Sequence, residues 1–353
     1  MDDAERKARQ ERRERFLAEG HARQRAVMDD LGGRAHDALW WLGTRRQAGS
    51  YLRHLATQQQ AASYAPFRPL LDGHEAALRG WVAEADRHLA TLEADEVDEA
   101  RSRLGARLAF IGKGGSGKTV VAATVARLLA RRGQKVLAAD MDRSPGLSYS
   151  IGLGGRDISL PAAVLEANDS ASYGWQLKTS VLPRQAVEDH AATGPDGARL
   201  TGFGKIDGVE KEAAKMTMVA LIELLLGFGE PDWHVVADLE GGPTTPFERY
   251  HAFSEDVVVV VGPAWRSAMT ARRLLPMVGT GRTTTIAANR FRDEPDHRGL
   301  VPHIRIPFDP DVAQAEREGL SPLDECPGSP TIEAIERLVG TLVPPDRHRA
   351  TRA

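Results

Sequence analysis

The eight residues Gly112-Lys113-Gly114-Gly115-Ser116-Gly117-Lys118-Thr119 constrain this chain more than any others. They follow the apolar run LAFI at 108–111 without a break and lead into a helical pattern that continues to residue 132. The spacing fits G-x-x-x-x-G-K-[ST], in which each residue type has a physical task. Glycines admit positive φ and gather several N–H groups around one phosphate, while the helix opening near Gly117 adds the positive end of its dipole. Lys118 is placed for the β- and γ-phosphates of a nucleotide, and the Thr119 hydroxyl for Mg²⁺. A glycine-rich turn with one solvated lysine shares the composition but does not require a strand before it and a helix after it. The expectation is a nucleotide site cradled by Gly112, Gly114, Gly115, Ser116, Gly117, Lys118 and Thr119.

A second lysine, Lys113, stands directly after the first glycine, where the general pattern leaves the residue free. The wording KGGxGKT resembles the deviant Walker A loop of the MinD/ParA-type ATPases, the class that includes nitrogenase iron protein and the arsenite and tail-anchored-protein targeting ATPases. The resemblance implies ATP and Mg²⁺ as cofactors. It also implies that Lys113 is the signature lysine, reaching across an ATP-dependent homodimer to the partner's phosphates, although an exposed loop lysine has the same sequence.

Composition sets the outer bounds. At 353 residues the chain has room for about two domains. With 46 Lys+Arg against 49 Asp+Glu there is no broad basic field to favour DNA or an anionic membrane. The single cysteine, Cys326, excludes an internal disulfide and any multi-cysteine transition-metal site within one chain. It also suits a reducing compartment. No apolar run is long enough to span a bilayer, and the first residues have no apolar core of the signal-peptide kind. A cytoplasmic protein is expected.

Before residue 106 the sequence reads as helix. Residues 1–30 carry eight basic and eight acidic residues, which suits a solvated helix with i,i+4 pairs or a frayed extension. Apolar residues at helical spacing follow from Leu39 to Leu92, with Pro66 and Pro69 as breaks. Of the adjacent Trp40 and Trp41, at least one is expected in the core, since neighbours on a helix point in different directions. Residues 93–103 link this region to the nucleotide domain. The region at 1–105 is either a docking or dimer-supporting element or a set of helices packed on that domain.

Beyond the loop helix, KVLAAD at 135–140 reads as a strand ending in Asp140-Met141-Asp142, and WHVVAD at 233–238 as a strand ending in Asp238. Carboxylates at the C-terminal ends of parallel strands lie where open α/β sheets bind ligands. By resemblance, 140–147 is similar to switch I, with Asp142 positioning or deprotonating the attacking water and Asp140 near the Mg²⁺ shell. Either aspartate is also compatible with a cap or loop role. Asp238 resembles the Walker B carboxylate, and 239–245 the switch II loop.

The intervening segment is less regular. A short helix is expected at 160–168, strands at 175–182, loop at 194–208, and a buried helix at 216–228 that is either core or subunit contact. Later strands are expected at 256–262, 283–289 and 303–308, with helices at 266–278, 310–319 and 331–343. By resemblance, Asn289 at a strand end reads the adenine edge, although it could equally close a turn. The last helix has an apolar face that a membrane-binding helix shares, and a basic tail occupies 346–353.

Within the class, DLEGG at 238–242, VVVVGP at 258–263 and RIPFDPDVAQAEREGLSPLDE near the end resemble the nickel-insertion ATPases of carbon monoxide dehydrogenase maturation. That branch carries a C-x-C pair; the matching stretch here, GFGKIDGVEKEAAK at 202–215, has no cysteine, so a thiolate metal site of that type is absent. The expectation is a doubly wound, mainly parallel α/β ATPase domain at 106–345 behind an all-helical extension. Its function is expected to be an ATP-driven dimerisation switch acting on an unidentified protein partner. A DNA- or membrane-bound positioning ATPase and an ATP-dependent small-molecule ligase or kinase are the alternatives.

Overall fold

A computed structural model describes residues 3–142, 144, 146–167, 175–202, 211–242, 250–279, 281–292 and 299–344. At its centre lies β1 (Arg107–Gly112), six residues buried throughout. Such a strand must be covered on both faces, which parallel sheets achieve with helices on either side. The order of the eight-stranded sheet is β10-β9-β8-β1-β7-β2-β6-β5. Its strands are β2 (Lys135–Met141), β5 (Ala192–Thr193), β6 (Arg199–Gly202), β7 (Trp233–Leu239), β8 (Asp256–Val261), β9 (Thr283–Phe291) and β10 (Ile304–Pro307). Only the edge pair β5–β6 is antiparallel. A separate antiparallel hairpin joins β3 (Leu165–Ala167) to β4 (Trp175–Leu177).

Alternation along the strands assigns the two faces. Leu108, Phe110, Val136, Ala138, Val236, Val258 and Val260 pack on one side with α5 (Lys118–Arg131) and the last helix, α12 (Pro330–Leu342). Ala109, Ile111, Leu137, Ala139, Val235, Ala237 and Val259 pack on the other with α8 (Lys211–Gly227). Leu221, Leu224 and Leu225 of α8 are wholly buried. The apolar helix expected near 216–228 is therefore core.

The second face continues into the N-terminal helices. These are α1 (Asp3–Arg34), α2 (Ala38–Gln60), α3 (Arg68–Leu89) and α4 (Ala94–Arg103). Met28, Leu31, Tyr51, Leu71 and Leu78 belong to the same apolar cluster as α8 and the sheet. Polar ties reinforce this packing: Arg34 forks onto Glu230 at 2.7 and 3.0 Å, Gln47 donates to the Leu226 carbonyl at 2.6 Å, and Arg184 pairs with Asp30 at 3.1 Å. The expected breaks occur: α2 stops before a 3₁₀ turn (Ala62–Phe67) holding Pro66, and Pro69 lies in the first turn of α3. Trp40 and Trp41 are both half-buried, one beneath the Arg34 guanidinium and the other stacked on His88. Neither indole is fully in the core.

Among the described residues the remaining helices are α6 (Leu147–Ser150), α7 (Pro183–His190), α9 (Trp265–Leu274), α10 (Pro310–Arg317) and α11 (Pro322–Glu325). Three local expectations change. Residues 162–167 form a 3₁₀ turn followed by β3, because Leu165 to Ala167 find a partner in β4. Within 194–208, the stretch Arg199–Gly202 is an inner strand rather than loop, held by its pairing to Leu137–Asp140 of β2. Four residues are too few to show a strand period; the neighbour imposes the conformation. Helix α9 also ends earlier than expected and continues as a 3₁₀ turn containing Pro276. The expected basic tail at 346–353 and Asn168 lie outside the described residues.

His21 and His74 stack at 3.9 Å between α1 and α3, and His74 Nε2 lies 2.7 Å from Gln24 Oε1. Burial, with His74, Arg25 and His54 adding to it, pushes His21 down to about 3. Burial, with Arg25, pushes His74 down to about 4. In the unfolded chain both titrate near 6.5. The unfolded state therefore binds more protons below that value, and this pair's contribution is intact above about pH 6.5 and lost as pH falls towards 4. His21→Leu should make the decline of Tm between pH 6.5 and 4.5 shallower than in the parent protein. Parallel Tm curves would exclude the pair as a source of acid sensitivity.

Candidate nucleotide and cation site

Three adjacent strands of the sheet end together. Gly112 closes β1, Met141 closes β2, and Leu239 closes β7 between them, with Asp140 in register with Asp238. The chain leaves β1 for β2 on one side and reaches β8 on the other, so the loop after β1 opens at the crevice where the winding diverges. Its backbone is special at two glycines. At Gly112, with φ 155°, an added Cβ would lie 2.3 Å from the Val260 carbonyl oxygen. At Gly117, with φ 85°, it would lie 2.3 Å from Asn289 Nδ2. The loop is pinned by Ser116 N–H donating to the Lys113 carbonyl at 3.1 Å and by Gly242 N–H donating to the Gly112 carbonyl at 3.0 Å. The second bond ties the start of the expected switch II segment to the cradle. Residues 243–245 of that segment lie outside the described residues, as do Arg143 and Pro145 of the first.

The lysines of the loop differ in setting. Lys118 opens α5 and is buried, only 5 % exposed. Lys113 is half-buried, and among the described residues its Nζ donates only to the adjacent Gly114 carbonyl, at 3.2 Å.

Beside Lys118, Thr119 Oγ1 donates to Asp238 Oδ2 at 2.6 Å. Asp238 is wholly buried and its Oδ1 has no hydrogen-bond partner, nor does the buried Ser116 Oγ. Asp140 is buried too, but engaged: Oδ1 accepts from Asp142 N–H at 3.1 Å, and Oδ2 from Gly146 and Leu147 N–H at 3.0 and 2.8 Å. It thus braces the turn that carries Asp142, whose Oδ1 accepts from Ser144 N–H at 2.9 Å. Burial pushes Asp238 above the usual carboxylate range, opposed by Lys118 and Thr119 and reinforced by Asp140 and Asp142. Asp140 is raised likewise, chiefly by burial and against its backbone bonds.

An orphaned buried carboxylate oxygen, a hydroxyl next to it and mutually repelling aspartates form a place short of positive charge. The donors are all oxygen, as a hard cation such as Mg²⁺ prefers. Among the described residues no grouping of three or more His, Cys, Asp or Glu is arranged to hold a metal alone. Mg²⁺ beside a nucleotide is ordinarily held through one or two protein oxygens, the rest being phosphate and water. The residues present therefore fit Mg²⁺ with a nucleotide. When bound, the ion would neutralise charge on the β- and γ-phosphates.

Asn289 lies on the far side of the loop, buried, with Nδ2 donating to the Ser116 carbonyl at 2.8 Å. It borders a narrow cleft with Val120, Arg290, Pro307, Phe308 and Asp309. Asn289 thus supports the cradle and lines that cleft. Sequence reasoning assigned no role to Arg290, which adopts φ 62° and pairs with Glu316. It also assigned none to Asp309, which caps α10 by accepting from Asp311 N–H at 2.9 Å. The Asp-Pro start of α10 was a legible capping signal; the backbone of Arg290 left no trace in the sequence.

Fold and cradle together define a P-loop nucleotide-binding protein with an ATPase domain. The profile of the CobQ/CobB/MinD/ParA nucleotide-binding domain matches residues 108–323, and the chain belongs to that family. An uncharacterised ATP-binding protein of Methanocaldococcus jannaschii is 25% identical over 246 residues, 66% of this chain and 85% of that one. The carbon monoxide dehydrogenase accessory protein CooC of Rhodospirillum rubrum is 26% identical over 245 residues, 63% of this chain and 90% of that one. In fold, the chain is similar to the septum site-determining protein MinD of Pyrococcus horikoshii, solved with Mg-ADP. The TM-score is 0.51 at 19% identity, over 71% of this chain and 99% of that one. No helix among the described residues is long and apolar enough to cross a membrane.

Asp238 is held ionised in the folded state only against the penalty of burial, so its contribution to the stability of the nucleotide-free protein declines as pH rises through its elevated pKa. Asp238→Asn should raise the Tm of nucleotide-free protein at pH 8 and abolish the extra stabilisation that Mg²⁺ adds to ADP. A variant that keeps a full Mg²⁺ increment in thermal shift would remove Asp238 from the cation site.

Proposed function

We propose that this protein is an ATP-dependent dimerisation switch that controls a protein partner. The observation that carries the reading is the contrast between the two loop lysines. Lys118 is sealed inside the cradle, where it can meet the phosphates of its own nucleotide, whereas Lys113 is half-buried and, among the described residues, its Nζ bonds only to its own loop. A cation so placed is available to a second nucleotide presented by a facing copy of the chain. ATP would join two copies through Lys113. Asp142, on the turn braced by Asp140, would orient a water and take its proton, and the 239–242 segment, bonded to the cradle through Gly242, would relax once the γ-phosphate has gone.

The likeness to CooC favours an accessory role in the assembly of another protein, without thiolate metal delivery, since the only cysteine is Cys326. Positioning on DNA would require a basic face that the balanced charge does not provide, and the apolar face of α12, with Ile332, Ile335, Leu338 and Leu342, is packed into the core. Salt-sensitive retention on DNA, or a phosphorylated or ligated product released with ADP, would redirect the assignment to one of those classes.

Lys113→Ala should bind Mg-ATP with affinity within about threefold of the parent yet remain monomeric with a non-hydrolysable analogue in size-exclusion with light scattering. Dimers undiminished in that variant would overturn the cross-subunit role. Asp142→Ala should lower ATP turnover at least ~100-fold, within the range for general-base removal, and accumulate the ATP-bound dimer. Unchanged turnover would dismiss the residue as the base.

A further inference from the structure

Beside the cradle, the ladder between β9 and β10 is broken. Asn289 pairs with Ile306 and then Phe291 with Pro307, so Arg290 is an extra residue on β9 with nothing opposite it. Pro307 has no N–H to give, and the ladder resumes one residue later, where Phe308 N–H donates to the Phe291 carbonyl at 2.8 Å. A bulge of this kind bends the strand and re-aims one side chain, and bulges gather next to functional sites. The backbone conformation is costly. Arg290 has φ 62°, in the left-handed region. Among the described non-glycine residues only Asp196 shares it, and a short polar side chain tolerates that region better than an arginine does.

The re-aimed side chain crosses the cleft that adjoins the cradle. Its Nε lies 3.5 Å from where a Cβ on Gly117 would be, so the guanidinium reaches back to the phosphate loop. Its Nη2 pairs with the Glu316 carboxylate on α10. Both side chains line the cleft, together with Val120, Pro307, Phe308 and Asp309. The pair therefore ties the end of β9 to α10 across that space. The cleft encloses only about 20 Å³, room for about one water, whereas small-molecule sites enclose roughly 300 Å³ and more. Yet it lies at the C-terminal ends of β9 and β10 next to the cradle, where an open α/β sheet receives the rest of a ligand whose phosphates the loop holds. A base enters only if the tie opens. Two features make opening easy. The side chains are 33 % and 36 % exposed, so water weakens their attraction, and release lets Arg290 leave a disfavoured φ.

We propose that the Arg290–Glu316 pair is a gate on the base pocket of the nucleotide site, opened when an incoming nucleotide displaces Arg290 from Glu316. The gate rests on the nucleotide reading of the cradle and adds to it a step that phosphates alone do not require.

The test follows association of a fluorescent, ribose-labelled ATP with the full chain and Mg²⁺ in stopped flow. Affinity for magnesium tripolyphosphate, which has no base, is measured beside it by titration calorimetry. Glu316→Gln should speed nucleotide association about two- to fivefold, the scale that an exposed ion pair supports, and leave tripolyphosphate affinity at the parent value. Arg290→Gly, in which φ 62° carries no strain, should speed association to a similar degree. The double variant should be no faster than the faster single one, because both changes remove one contact. Association no faster than the parent in either single variant, effects that multiply in the double variant, or a matching change in tripolyphosphate binding by Glu316→Gln would overturn the gate and leave the nucleotide site standing. Failure of the parent protein to bind the labelled ATP would overturn the nucleotide reading itself, and the gate with it.

Discussion

The bond from Thr119 to Asp238 joins the start of α5 to the end of β7 across the mouth of the sheet. It connects two segments 119 residues apart in sequence, in surroundings that make an unneutralised carboxylate unfavourable. Much of the surrounding architecture can be understood as the means of keeping that carboxylate buried and in place. β1 must be central so that the loop leaving it meets β7 and β2 on one side and β8 on the other. Both faces must be covered so that water does not relieve the charge. Asp140 commits its acceptors to the backbone, holding the turn that brings Asp142 near. The outcome is a site short of one cation, which is the condition a Mg-nucleotide complex meets.

The N-terminal helices extend the same logic to the back of the domain. A sheet with two apolar faces needs a second helical layer, and here α8 is itself covered by α1, α2 and α3. The region at 1–105 is therefore no free arm: Met28, Leu31 and Leu224 share one core, and the Arg34–Glu230 and Arg184–Asp30 pairs staple its margin. That junction buries Arg46 and Arg107, which donate to the carbonyls of Gly105 and Phe228.

How much of this was legible beforehand varies with the range of the interaction involved. Strands such as 108–111, 135–140 and 233–238 were readable because buried parallel strands are short continuous apolar runs. The helix breaks at Pro66 and Pro69 were readable because a missing N–H is a local fact. By contrast, Arg199–Gly202 became a strand only through pairing with β2, and Leu165–Ala167 only through β4. Nothing within those short stretches distinguishes them from loop. The adjacent Trp40 and Trp41 part for the same reason, Trp40 packing half-buried against the core and Trp41 stacking on His88, since helical geometry separates their directions but does not say what each will meet.

The sequence by itself determined the phosphate cradle and its two lysines, the carboxylates at the ends of their strands, the family and the doubly wound sheet. Each of these depends on residues close together in the chain or on a periodicity that repeats within one element. Only the tertiary structure decided that Asp238 keeps one oxygen unpaired while Asp140 does not, and that Asn289 supports the loop through Ser116. Those outcomes depend on side chains that meet across long stretches of chain. Burial and hydrogen-bond satisfaction are properties of the packed whole, and no local pattern encodes them.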